Sequence, residues 1–218
     1  VLAGARELVF FNLGDLMAGH PDHAKIRAEF DALCDLAAAI RVRPVTGIPA
    51  YKPPNSDPAG DMYLFDFLGM LGIPVVPVHT FPESAPLIFL PAQAATDPQL
   101  LDHVRKARNR GTTIVMTASL LTIAPDADQL TRLAGLEQPV RAQPLRAQVL
   151  SWSAESQHRE PIGVTVDLES PLQIAAGRDD IACVAEGTRY ALLATSKLPG
   201  PRIAVLNTHT FSQADFDR

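Results

Sequence analysis

The sequence predicts an α/β protein with an open, mostly parallel sheet and an antiparallel β excursion, and three observations carry that expectation. Strand-like apolar runs alternate with helical periodicities from residue 45 to 119. One of those runs, TTIVMTAS at 112–119, is apolar almost throughout, as a strand buried on both faces of a parallel sheet must be. From Pro139 to Gly187 the pattern changes to short alternating runs such as GVTVDL and DIACVA, broken by Pro and Gly, which is antiparallel patterning.

Each element follows in order. ELVFFNL at 7–13 is a short buried strand, and Asp22 to Ile40 reads as a helix with Ile26, Phe30, Leu33, Ala37 and Ile40 on one buried face. Pro44 ends that β/α unit, so one domain is expected over 1–43 and the sheet domain over 44–218. VTGIPAY is the next strand, followed by a helix from Asp61 to Leu71 that Gly72 stops. IPVVPVHT and APLIFLPAQ are two further strands, and prolines confine the first to a sheet edge or a short length. In TDPQLLDHVRKARNRG, Thr96 or Asp97 caps a helix, Pro98 suits its first position, and Gly111 closes it. A weaker helix spans Asp126 to Ala134, and TRYALLATSKL and PRIAVLNTHT form a hairpin or two neighbouring strands.

Composition excludes several functions. A chain of 218 residues with 47% hydrophobic and 20% charged residues can bury a core. A net charge of −5 argues against a nucleic-acid face, and Arg105, Lys106, Arg108 and Arg110 read as the solvated side of a helix. No apolar run approaches the roughly 20 residues that span a bilayer, so no membrane partner is expected. Val1 follows no basic leader, and Cys34 and Cys183 read as buried free thiols, compatible with the cytoplasm. The chain opens on Val1 and stops at SQADFDR, which reads as a first helical turn, so a piece of a longer protein is expected.

Open α/β sheets bind ligands beyond the carboxyl ends of their strands. That rule gathers Lys52, Asn55, Ser56, Asp57, Gln93, Thr117, Ser119, Asn207, His209 and Thr210 into a candidate polar crevice. Asp57 and Asp61 have the chemistry of a carboxylate pair, but Asp61 is better placed to cap a helix from Met62. His20 and His23 suit helix entry or subunit packing better than metal binding, and His103 falls on the solvated helix face. Phosphate-binding glycine motifs are absent, so no nucleotide cofactor is expected; too few oxygen ligands near Asp57 and Asp61, and no third histidine with His20 and His23, leave no metal expected either. Ser119 with His209 is the one nucleophile–base pair that can be built, without the glycines of a sharp elbow.

The order of elements, with PLIFLPAQAATDPQLLDHVRKARNRGTTIVMTAS and RIAVLNTHTFS, resembles the flavodoxin-like class I glutamine-amidotransferase fold. More closely, it looks like the version that serves as the trimerisation domain of β-galactosidase-like glycoside hydrolases. GARELVFFNLGDLMAGHPDHAKIRAEFDALCDLAAAI then resembles the last β/α unit of a (β/α)8 barrel. In that resemblance the strand at Thr112–Ala118 leads to a nucleophile elbow, where this chain has TASLL and no cysteine. His209 is in register with the family's histidine, but Phe211 stands where its acid belongs. The resemblance therefore implies a non-catalytic domain for subunit association and support of a carbohydrate site, with Asn12 and Asp15 at the barrel rim and Lys52, Asn55, Asp57, Gln93 and Asn207 as ligand-binding candidates. A homo-oligomer with carbohydrate as partner is its consequence. A small-molecule hydrolase using Ser119 and His209, or a sugar-binding module, is the alternative.

Overall fold

The computed structural model describes residues 17–19, 21–43, 45–153, 158–173, 181–195 and 202–208. The chain divides into two compact units, Val1–Thr46 and Gly47–Arg218. In the first unit, helix α1 spans Pro21–Arg41, with proline at the first helical position where its missing N–H costs nothing. Its expected buried stripe is only partly so: Leu33 and Ala37 are half-buried, whereas Phe30 and Cys34 are exposed. Helical spacing places residues on one face but does not supply the surface that covers them. Asn12, Asp15 and His20 lie outside the described residues, as does the side chain of His23.

The second unit is one nine-stranded sheet flanked by helices. Its strands are β1 (Ile48–Tyr51), β2 (Val75–Val78), β3 (Leu87–Leu90), β4 (Thr113–Thr117), β5 (Leu145–Ser153), β6 (His158–Leu168), β7 (Ile181–Ala185), β8 (Thr188–Thr195) and β9 (Ile203–Leu206). They run β2-β1-β3-β4-β9-β8-β7-β5-β6. The first five are mutually parallel and the remaining pairings antiparallel. With β5–β8 set aside as an insertion, the parallel strands follow the 2-1-3-4-5 order of flavodoxin-like proteins. The expected open sheet with an antiparallel excursion is therefore present. β8 pairs with β7 on one side and with β9 on the other, so β8 and β9 are neighbouring antiparallel strands as expected.

Sequence chemistry explains the arrangement. Pro77 cannot donate to a ladder, and β2 is accordingly a four-residue edge strand. Gly47 enters β1 where a Cβ would stand 2.6 Å from the Pro74 carbonyl oxygen, so only glycine permits this approach. Period-two alternation sends Tyr51, Ile88, Leu90, Ile114, Met116, Ile203 and Val205 into a core covered by three helices: α3 (Leu100–Asn109), α4 (Ala118–Ile123) and α5 (Ala127–Leu133). The opposite face carries Ala50 and Phe89 against Leu64 and Leu68 of α2, Leu64–Met70. A third cluster, Ala147, Val166, Leu168 and Cys183, belongs to the antiparallel extension, where burial pushes the Cys183 thiol up to about 11. Among the described residues, no helix is long and apolar enough to cross a membrane.

Two helix starts differ from expectation. A 3-10 turn at Ala59–Asp61 precedes α2, so Asp61 ends a tight turn instead of capping a helix. α3 begins at Leu100 with Gln99 at its N-cap, because a second 3-10 turn at Ala92–Thr96 takes up the preceding residues. Asp61 is thereby turned to partners after β3 and at the end of β4, while Asp97 still accepts the Gln99 N–H at the helix start.

Candidate functional site

The segments that follow β1 and β3 and the end of β4 meet at Asp61, which is 1% exposed. Its Oδ2 accepts hydrogen bonds from the Ala92 N–H and the Thr117 hydroxyl, both at 2.6 Å. Thr117 ends β4 and also accepts from the Leu120 N–H at 3.2 Å, capping α4. One carboxylate thus ties together the segments that follow β1 and β3 and the end of β4. Leaving a buried donor without such an acceptor costs about 1–3 kcal/mol.

Ser119 sits in the first turn of α4, at the position the resemblance assigns to a nucleophile. It is 3% exposed, and its hydroxyl donates to Glu169 Oε1 at 3.2 Å. Glu169 itself is buried, just beyond β6. Asn207, fully buried after β9, has an amide committed to backbone: Oδ1 accepts from the Ser170 N–H at 3.0 Å, and Nδ2 donates to the Ser170 and Ala191 carbonyls at 2.8 Å. It fastens the segment after β6 to the parallel sheet. His209, the proposed base, lies outside the described residues.

The other crevice candidates separate into two groups. Lys52, Asn55 and Asp57 are exposed on the segment after β1. Asp57 Oδ1 accepts the Ala59 N–H at 2.8 Å, while Asn55 and Ala59 hold positive φ values of 56° and 44°. Asn tolerates that conformation and Ala does not, so this proline-rich loop stores local strain. Gln93 is buried, and neither its Oε1 nor the half-buried Ser56 hydroxyl has a partner among the described residues.

A further constellation escaped the sequence reading. Asp97 Oδ1 accepts from the Gln99 N–H at 2.8 Å, and Oδ2 receives the Tyr51 hydroxyl at 3.1 Å and His103 Nδ1 at 2.9 Å. Phe81 stacks on the imidazole at 4.7 Å and meets Tyr51 edge-on at 5.2 Å. Desolvation, followed by the neighbouring Asp97, pushes the Tyr51 phenol up to about 12. His103, expected on the solvated face, has only 21% side-chain exposure. The one local signal was the aspartate six residues before it across a helix start; the partners on β1 and after β2 come from distant sequence. Arg105, Lys106 and Arg110, by contrast, are exposed as expected.

Among the described residues, no group of three or more His, Cys, Asp or Glu could hold a metal ion. A shallow groove of about 320 Å³ lies away from the carboxyl edge, on the antiparallel extension between Arg146, Gln148, Thr165 and Glu186.

Strand order and the polar carboxyl edge together define a flavodoxin-like α/β domain carrying an antiparallel insertion. Residues 45–208 match the family described as "Uncharacterized protein SSO3021, second domain", and the chain belongs to that family. No curated protein matches it. Among solved structures, the chain is similar to PurLQS from Thermotoga maritima at 15% identity, over 75% of this chain and 88% of that one, with a TM-score of 0.47. It is also similar to a ThuA-like protein from Bacteroides uniformis at 11% identity, over 81% and 86%, with a TM-score of 0.48. The fold assignment rests on the strand order.

Proposed function

We propose that this domain is a non-catalytic, amidotransferase-like module of a glycoside-hydrolase-like protein, associating subunits and supporting a carbohydrate site. The observation that carries this reading is the closure of Ser119. A nucleophile must meet its substrate, and Ser119 is 3% exposed with its hydroxyl donating to the buried Glu169. The elbow position also lacks a thiol, so no thioester route to glutamine hydrolysis exists there. Subunit association draws support from the surroundings of α2, where Met62, Tyr63, Leu71 and Ile73 are exposed large apolar residues, Tyr63 at 62%. Covering such side chains with a second copy gains about 25 cal/mol per Å² of apolar surface removed from water.

The test is direct. Purified chain should release no ammonia from glutamine and should cleave test esters no faster than Ser119→Ala does. Turnover abolished by Ser119→Ala would overturn the reading. Sedimentation should report a self-associated species that Tyr63→Glu shifts toward monomer; a wild-type monomer would remove the association part.

A further inference from the structure

We propose that His103 is the recognition residue of a site for a hydroxyl-bearing small molecule, a sugar or polyol, where the strand order of the parallel sheet reverses. The proposal rests on the carbohydrate part of the function above and supplies the atom that does the recognising.

In the order β2-β1-β3-β4, the connections leaving β1 and β3 diverge, and open α/β sheets place ligands outside the strand ends at such a point. The Asp97 network spans that point. Tyr51 is the last residue of β1, Asp97 follows the turn after β3, and His103 lies in the first turns of α3.

The hydrogen bonds settle which ring nitrogen is available. The Asp97 carboxylate only accepts, and the Tyr51 phenol, with its pKa pushed up to about 12, stays protonated and donates to it. His103 Nδ1 must therefore carry the ring proton in its 2.9 Å bond to Asp97. Nε2 is then the ring atom left to meet a ligand, through its lone pair in the neutral ring or through an N–H in the protonated one. That atom has no partner among the described residues, whereas the rest of the ring is held by Asp97 and by Phe81 stacked at 30°. A side chain 21% exposed is reachable from solvent.

The arrangement selects its ligand. A hydroxyl both donates and accepts, so it meets Nε2 in either state of the ring, and the Asp97 carboxylate on Nδ1 disfavours an anionic partner. A neutral O–H fits both conditions. Orientation by a carboxylate behind an imidazole is how histidine ligands and bases are generally held ready, and the same logic applies to a recognition residue.

A histidine that merely braced Asp97 would need Nδ1 alone, and that difference makes the test. The full chain, labelled with ¹⁵N-histidine, is titrated with D-glucose in one arm and maltotriose in the other, and the His103 Nε2 resonance is followed. A saturable shift at His103 in either arm, with the other histidines unmoved, is expected; glucose alone indicates a free sugar, and maltotriose alone a glycan chain. His103→Asn offers an amide nitrogen in the place of Nδ1 but nothing in the place of Nε2. It should keep the wild-type melting temperature within a few degrees and weaken sugar binding, followed by calorimetry, by at least about tenfold, the loss of about one hydrogen bond. Absence of a saturable shift at millimolar sugar, or equal binding by His103→Asn, overturns the proposal. Neither result bears on ammonia or ester release, so a failure here is distinct from a failure of the non-catalytic reading.

Discussion

Two polar networks occupy the carboxyl edge of the same sheet, each centred on an aspartate, and they end differently. Asp61 is enclosed, and its Oδ2 draws in one backbone amide and one hydroxyl from segments that must be held together. Asp97 gathers an amide, a phenol and an imidazole, and the imidazole keeps Nε2 without a partner among the described residues. The first arrangement fastens the fold; the second keeps bonding capacity in reserve. Burial of a carboxylate is therefore no sign of function by itself. What matters is whether its partners exhaust their bonding capacity on one another.

Mutation can break that contrast or sharpen it. Asp61→Ala strands the Ala92 amide and the Thr117 hydroxyl without their acceptor and should cost about 3 kcal/mol or more by urea denaturation, with Asp61→Asn recovering part of the loss. A smaller effect than that of Tyr51→Phe would invert the comparison. Asn207→Ala removes three bonds to buried backbone and is expected to lose about 2 kcal/mol by the same measurement.

Tyr51→Phe should lose only about 1 kcal/mol near neutral pH. Its pH dependence is the sharper observable. The folded pKa of about 12 exceeds the ordinary 10.0, so the folded state holds this proton more tightly. The contribution is complete below pH 10 and is lost as pH rises through about 12. Stability curves of wild type and Tyr51→Phe should converge across that window; parallel curves would show that the phenol is not desolvated.

The smallest effect falls on the extension, as a control remote from both networks. Glu186 and Gly187 join β7 to β8 with φ of 49° and 76°, a two-residue turn with both positions left-handed. Asn accepts that conformation more readily than Glu, so Glu186→Asn should raise stability by about 0.5 kcal/mol in thermal denaturation.

The parts of this fold legible from sequence were those governed by periodicity and by proline. β4 was recognisable because burial on both faces leaves no polar alternation, and Pro77 marked β2 as an edge. The two aspartates fared differently. An Asp just before an apolar helical pattern is locally the best N-cap, and local chemistry alone made Asp61 and Asp97 into caps. Asp97 keeps the cap-type bond from the Gln99 N–H through Oδ1 while Oδ2 reaches Tyr51 and His103, whereas the 3-10 turn at Ala59–Asp61 turns the Asp61 carboxylate to Ala92 and Thr117. His103 was set on the solvated face because its partners, Tyr51 and Phe81, approach from segments that helix spacing cannot see. Phe30 and Cys34 show the converse error, in which an apolar stripe was equated with burial.

The insertion of β5–β8 between β4 and its parallel neighbour β9 has a kinetic consequence. β1 to β4 emerge early and can pair with little chain between them, and the β7–β8 hairpin needs only its own turn. β9 must wait for the whole excursion, and closing so long a loop is entropically slow. Its capture in the gap beside β4 would then be the late step of assembly, when the last open ladder is sealed and the exposed edge of β4 ceases to invite aggregation.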